Sequence, residues 1–135
     1  MAEKARLLQL LPVPESGCGD IQMVSDGSDL RVAFEHYSEI DGCDLISTIR
    51  FLGVAAFRFH NEMHSAGYFE SSYDAVVEVS ESRWRRKLHG VEPKQIMGTV
   101  SEMRHFAVLF SSNGYLEVVA ESFELLPPKR GRLQQ

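Results

Sequence analysis

The residues of this chain best suited to chemistry lie in the segment His60-Asn61-Glu62-Met63-His64. A zinc-protease helix needs His-Glu-x-x-His, with the glutamate directly after the first histidine. Here the glutamate comes one position late, so that pattern is absent. On a helix His60 and His64 would still share a face, and in a strand His60, Glu62 and His64 would do so. These three are the predicted metal-ligating residues, and the alternative is a polar loop with two exposed histidines.

The carboxylates of Glu117 and Glu121 form a second candidate, four residues apart in an apolar run. In a strand that rises ~3.4 Å per residue, their backbones lie ~13 Å apart. A glycosidase pair needs a separation of ~5–9.5 Å, so the spacing disfavours acid–base catalysis. If buried, each carboxylate needs a cationic partner, and Arg104 is the nearest arginine on the same hairpin face.

Other enzymatic signatures are missing from the sequence. There is no G-x-S-x-G turn and no glycine-rich phosphate loop, and Cys18 and Cys43 have no C-x-x-C spacing. We therefore predict a non-enzymatic protein, with no catalytic residue and no cofactor.

The clearest structural pattern covers residues 104–126, two apolar runs joined by Asn113-Gly114. Asn-Gly supplies the two positive φ angles of a type I′ turn, so the pattern predicts a long antiparallel hairpin. With a two-residue turn, Phe110 faces Glu117 across the hairpin. The opposite face then carries small apolar residues and is the predicted core face.

The hairpin face that would carry Phe110 and Glu117 mixes aromatic and acidic side chains. It is too aromatic for a solvent face and too acidic for a sealed core. Three alternatives remain open: the chain's own helix covers the face, a partner docks on it, or it lines a pocket. The predicted binding residues on this face are Phe106, Phe110, Tyr115, Glu117 and Glu121.

The rest of the chain is mostly strand-like. Residues 30–34, 44–59 and 73–79 are typical of strands, and residues 82–90 indicate a short helix with apolar positions four apart. Strands do not alternate with long helices, which disfavours a parallel sheet. We predict an antiparallel α+β fold, with a strongly curved sheet or small open barrel of five to six strands and one to three short helices.

Length and charge limit the remaining possibilities. A chain of 135 residues is predicted to form one domain over 1–126, followed by a flexible basic tail over 127–135. The net charge of -5 disfavours nucleic acid as a partner, and the basic residues near Trp84 are expected on a solvated helix face. No apolar run is long enough to span a membrane, and no export signal is visible, so we expect a cytoplasmic protein.

These observations predict a function only by class. The runs over residues 73–88 and 104–125 are typical of small bacterial proteins. The leading hypothesis is a binding protein that associates with another protein or with itself as a dimer. The alternatives are a small-ligand or metal-binding domain, and an acidic inhibitor of the immunity type.

Overall fold

A computed structural model describes residues 4–14, 17–60, 74–91, 103–110 and 114–133. These ranges contain eight strands and one helix. In chain order they are β1 (Lys4–Leu10), β2 (Ile21–Asp26), β3 (Asp29–Ser38), β4 (Cys43–His60), β5 (Ala75–Ser80), α1 (Arg83–Val91), β6 (Arg104–Phe110), β7 (Gly114–Leu125) and β8 (Lys129–Arg130).

The strands form one open antiparallel sheet in the order β1-β5-β6-β7-β4-β3-β2, and β8 pairs with β4. The α+β prediction is therefore wrong, because the described residues are mostly sheet and include a single helix. The predicted five to six strands were too few, since short strands such as β8 carry no alternating pattern of their own. The helix in these ranges is not long and apolar enough to cross a membrane.

The sheet curls around its core. Phe34 on β3 and Phe110 on β6 stand three strand positions apart, yet their ring centroids are only 5.7 Å apart. In a flat sheet with strands ~4.8 Å apart, the same rings would be separated by ~14 Å. The curl lets both halves of the sheet bury one shared apolar cluster, which includes Leu30, Val32, Phe34, Ile49, Phe51, Phe106, Phe110 and Val118.

Strand β4 connects the two halves of the sheet. Its residues 43–51 pair with β3 on one side, and residues 49–60 pair with β7 on the other. Gly53 interrupts the strand with a φ of 63°, and the register with β7 shifts between Val54 and Ala56. This irregularity lets β4 change direction between the part that pairs with β3 and the part that pairs with β7.

The predicted hairpin exists, but its predicted register is wrong. Phe110 pairs with Gly114 and Ala107 pairs with Glu117, so three residues separate the paired ends instead of two. The observed pairing is shifted from the predicted pairing by three positions. Because side chains alternate between the two faces along a strand, an odd shift places residues that were predicted to share a face on opposite faces. Phe106 and Phe110 thus face the core, whereas Glu117 faces the other side. Residues 111–113, including Asn113, lie outside the described residues.

Residues 127–133, assigned to the predicted tail, lie along the sheet. The amide of Leu126 donates to the carbonyl of Thr48 at 2.8 Å. Lys129 and Arg130 then pair with Ile46 and Leu45 as β8. The C-terminal segment, defined here as residues 126–133, therefore continues the line of β7 beside the first half of β4.

Candidate functional site

Glu117 lies at the centre of a buried polar network on the sheet face opposite the core. This residue is 1% exposed. Oε1 accepts a hydrogen bond from Nε2 of His105 at 2.8 Å, and Oε2 accepts one from Nε of Arg58 at 2.7 Å. Arg104, the partner predicted from sequence, instead donates to Glu78 at 2.9 and 3.0 Å. The pairing differs from the prediction because the register sets Arg58 directly opposite Glu117.

Ser82 extends this network to helix α1. Its Oγ lies 2.6 Å from Nδ1 of His105 and accepts the backbone N–H of Arg85 at 3.0 Å, as a helix N-cap does. The order of serine, histidine and carboxylate is that of a catalytic triad, but the two ring nitrogens have exchanged partners, since Nδ1 faces the serine and Nε2 faces the carboxylate. However, Ser82 is completely buried, so no substrate can reach its hydroxyl. The network therefore fastens α1 to the sheet and does not form a nucleophile.

The charge of Glu117 is held by its hydrogen bonds. Burial alone would raise the pKa of this carboxyl, but the hydrogen bonds from His105 and Arg58 outweigh burial and lower the pKa to about 2. The guanidinium of Arg58 also lies 4.2 Å from the ring centre of Trp84, a cation–π contact between β4 and α1. The carboxylate is thus ionised and paired at neutral pH.

The predicted metal ligands are only partly within the described residues. His60 stacks on Tyr115 with ring centroids 4.6 Å apart, and its Nε2 lies 3.8 Å from Oε2 of Glu117. Glu62 and His64 lie outside the described residues. Within the described ranges, no group of three or more His, Cys, Asp or Glu side chains is placed to hold a metal ion. The metal site over residues 60–64 stays a prediction.

The five predicted binding residues do not share a face. Phe106 and Phe110 are completely buried in the core, whereas Tyr115 and Glu117 lie together on the opposite face. Glu121 is exposed beside Gly53, where an added Cβ would come within 2.8 Å of its Cγ. The structure thus divides the predicted surface, and a binding role for these residues stays a prediction.

The structure also reveals a cleft that the sequence did not predict. It has a volume of about 460 Å³ and lies on the outer face of β2, β3 and β4, with the C-terminal segment beside it. The strand register explains its composition, because Gln22, Ala33 and Thr48 form one cross-strand row, and Val24 and Arg31 belong to the next. The lining residues are Gln22, Val24, Arg31, Ala33, Ile46, Thr48, Leu126, Pro127, Lys129 and Arg130.

The described residues give this cleft only positive charges. Arg31, Lys129 and Arg130 line it, and no carboxylate of the described residues does. None of these three cations forms an ion pair within the described part of the chain, whereas the neighbouring Arg50 pairs with Asp29 at 2.7 Å. Repulsion between unpaired cations is relieved when an anion binds between them. The cleft therefore has the chemistry of an anion-binding site.

One sequence feature could have indicated this cleft. Arg31 and Ala33 alternate with buried residues of β3, so their outward direction is predictable. The positions of Lys129 and Arg130 are not predictable in this way, since β8 has only two residues.

No protein-family model matches this chain, and no match is found among curated proteins or solved structures. The two sites described above therefore depend on geometry and chemistry alone.

Proposed function

We propose that this protein binds a small anionic ligand with an apolar body in the cleft between β2, β3, β4 and the C-terminal segment. The observation that carries this proposal is the convergence of Arg31, Lys129 and Arg130 on one cleft, although Arg31 also interacts electrostatically with Asp29 outside the cleft. This is the small-ligand alternative of the sequence analysis, with a different set of residues.

The size and lining of the cleft favour a small molecule. A volume of about 460 Å³ lies within the ~300–1,000 Å³ of typical ligand pockets. Val24, Ala33 and Ile46 offer apolar contact, and Gln22 and Thr48 offer hydrogen bonds. Among the residues that the structure describes, no aromatic side chain lines the cleft, which disfavours single-stranded nucleic acid because it binds by base stacking.

The same lining favours binding over catalysis. The polar groups are an amide, a hydroxyl, an ammonium and two guanidiniums. None of these has an ordinary pKa near neutrality, as a general base requires. Among the described lining residues, a bound anion would therefore meet groups that hold and orient it and none that moves a proton at neutral pH.

A pair of fluorescent probes tests this proposal. 8-Anilinonaphthalene-1-sulfonate is an anion with an apolar body, and N-phenyl-1-naphthylamine has a similar body without the sulfonate. We expect the sulfonate to bind and the neutral probe to bind at least about tenfold more weakly, since a charge-assisted contact contributes ~1.5–3 kcal/mol.

Variants of the cleft locate the binding. Arg31→Gln and the double variant Lys129→Gln/Arg130→Gln should each weaken sulfonate binding about tenfold or more. Lys87→Gln removes an exposed cation from α1, outside the cleft, and should leave the affinity unchanged. Wild-type affinity in Arg31→Gln or in Lys129→Gln/Arg130→Gln would show that the cleft is not the site.

Self-association through β4 is the second candidate function. Phe57 and Phe59 are 43% and 37% exposed, and within the described residues no strand pairs with residues 55–60 on the side of β3. Such an edge can pair antiparallel with the same edge of a second copy around a two-fold axis.

Sedimentation measures the oligomeric state and so tests self-association through β4. Phe57→Glu should convert a dimer to a monomer, whereas Ile40→Glu, at a turn residue that is 98% exposed, should not. A wild-type protein that sediments as a monomer at high concentration would rule out the dimer.

A further inference from the structure

We infer that Glu35 is a positioning residue for the cleft, because it holds the C-terminal segment against β3 and β4 and thereby places Lys129 and Arg130. This inference rests on the proposed function, since it concerns two of the three cations of the same site. Glu35 itself does not line the cleft and acts only through the segment that it holds.

Strand β8 needs support from outside its own pairing. It consists of Lys129 and Arg130 alone, which pair with Ile46 and Leu45. Two residues give few ladder hydrogen bonds, too few to fix a chain end. The position of both cations therefore depends on what holds the chain on either side of β8.

Beyond β8, the segment is held by contacts to β3 and β4. The amide of Gly131 donates to the carbonyl of Asp44 at 3.0 Å, and the amide of Leu133 donates to Oε2 of Glu35 at 2.6 Å. Arg132 adds weak ion pairs at 3.9 Å to Glu35 and 3.8 Å to Asp44, and its side chain is 70% exposed. The short hydrogen bond to a carboxylate is the strongest of these contacts.

Glu35 is also held by contacts that do not involve the C-terminal segment. It is 7% exposed, and its backbone carbonyl accepts the amide of Gly19 at 2.8 Å. A Cβ added at Gly19 would lie 3.1 Å from Oε1 of Glu35, so the carboxylate lies close to the backbone of Gly19. Within the described residues, the side chain of Glu35 accepts the amide of Leu133 and pairs with Arg132. The carboxylate and the segment therefore depend on each other, since a nearly buried charge without donors is unfavourable.

Two substitutions break this contact from opposite sides. Glu35→Ala removes the acceptor, and Leu133→Pro removes the donor because proline has no N–H. The second variant leaves the carboxylate and the core intact, so the test holds even if Glu35→Ala lowers stability. Glu39→Ala, which removes an exposed carboxylate just after β3, is the matched control.

Trypsin reports directly on the segment, because it cleaves after Lys129 and Arg130. Cleavage after Arg132 is left out of the comparison, because Leu133→Pro creates an arginine–proline bond there, which trypsin does not cut. Both variants should be cleaved after Lys129 and Arg130 about tenfold faster than the wild type and the control, because a charge-assisted hydrogen bond is lost. Both should also bind 8-anilinonaphthalene-1-sulfonate about tenfold more weakly, measured with the full-length chain. Cleavage at the wild-type rate in both variants would overturn the inference.

A double-variant comparison separates positioning from general destabilisation. In a chain that already carries Lys129→Gln/Arg130→Gln, Glu35→Ala should cause no further loss of probe affinity, because the cations that it places are gone. An additional loss in that background, or unchanged affinity in Glu35→Ala alone, would overturn the positioning role while the proposed function stands. If Lys129→Gln/Arg130→Gln itself leaves the affinity unchanged, the proposed function fails, and the role of Glu35 in binding fails with it.

Discussion

The imidazole of His105 reaches diagonally across the hairpin to the carboxylate of Glu117. Glu117 lies opposite Ala107 in the register, and His105 lies opposite Val119, two positions further along. The resulting 2.8 Å hydrogen bond joins two residues that are each 1% exposed. Because the other nitrogen of His105 contacts the N-cap Ser82, one histidine connects the sheet to the start of α1.

Glu117→Gln should destabilise the protein by about 2 kcal/mol, since the amide keeps the size but loses two charge-assisted hydrogen bonds. Urea denaturation followed by circular dichroism measures the change. Glu121→Gln, an exposed position on the same strand, should change stability by less than about 0.5 kcal/mol. Equal effects of the two substitutions would contradict the network.

The pKa of Glu117 makes stability depend on acid pH. Its folded pKa of about 2 lies below the ordinary value of 4.5, so the folded state binds fewer protons than the unfolded state. The stabilisation is therefore complete above pH 4.5 and is lost as the pH falls towards 2, by up to about 3 kcal/mol. Urea denaturation between pH 5 and 3 should show a steeper loss in wild type than in Glu117→Gln. Parallel pH curves would contradict this assignment.

Gly114→Ala should destabilise the protein by about 2 kcal/mol or more. Gly114 has a φ of 147°, and an added Cβ would overlap the backbone oxygen of His60 and lie 2.9 Å from the ring of Phe59. Gly27→Ala is the matched control, because Gly27 has a φ of 63° with nothing within 4 Å. The control should cost only about 1 kcal/mol, from the backbone alone. Thermal denaturation of both variants isolates the effect of the close approach, and equal shifts would exclude it.

Local sequence patterns predicted the existence of the hairpin but not its register. The two apolar runs fix the strands, since each alternates or is continuously apolar over several residues. The predicted register is wrong because Asn113-Gly114 predicts a two-residue turn, whereas Gly114 pairs with Phe110 inside β7. Its positive φ serves a close approach to β4, a strand that is distant in sequence.

The sequence predicted a site residue only where a charged side chain stands among apolar neighbours. Glu117 stands in an apolar run, so the sequence indicates that it needs a cationic partner. Its actual partners, Arg58 and His105, are set by the pairing of β7 with β4 and β6, which no local pattern gives. The cations of the cleft were missed because the position of Lys129 and Arg130 is fixed by the non-local contacts of the C-terminal segment.

His36 should make stability depend on pH in a higher range than Glu117. Its ring is buried at 4% exposure, with Nε2 2.8 Å from Oγ of Ser47, and burial lowers its pKa below the ordinary 6.5. Because the unfolded state binds the proton more readily, the stabilisation is complete above pH 6.5. It is then lost as the pH falls, at up to about 1.4 kcal/mol per pH unit. His36→Gln keeps a partner for Ser47 and cannot titrate, so its urea midpoint should change less between pH 7.5 and 5.5. In Glu117→Gln, the control, the urea midpoint should change between pH 7.5 and 5.5 as much as in the wild type. An equal change of the midpoint in all three proteins would mean that His36 titrates alike in the folded and unfolded states.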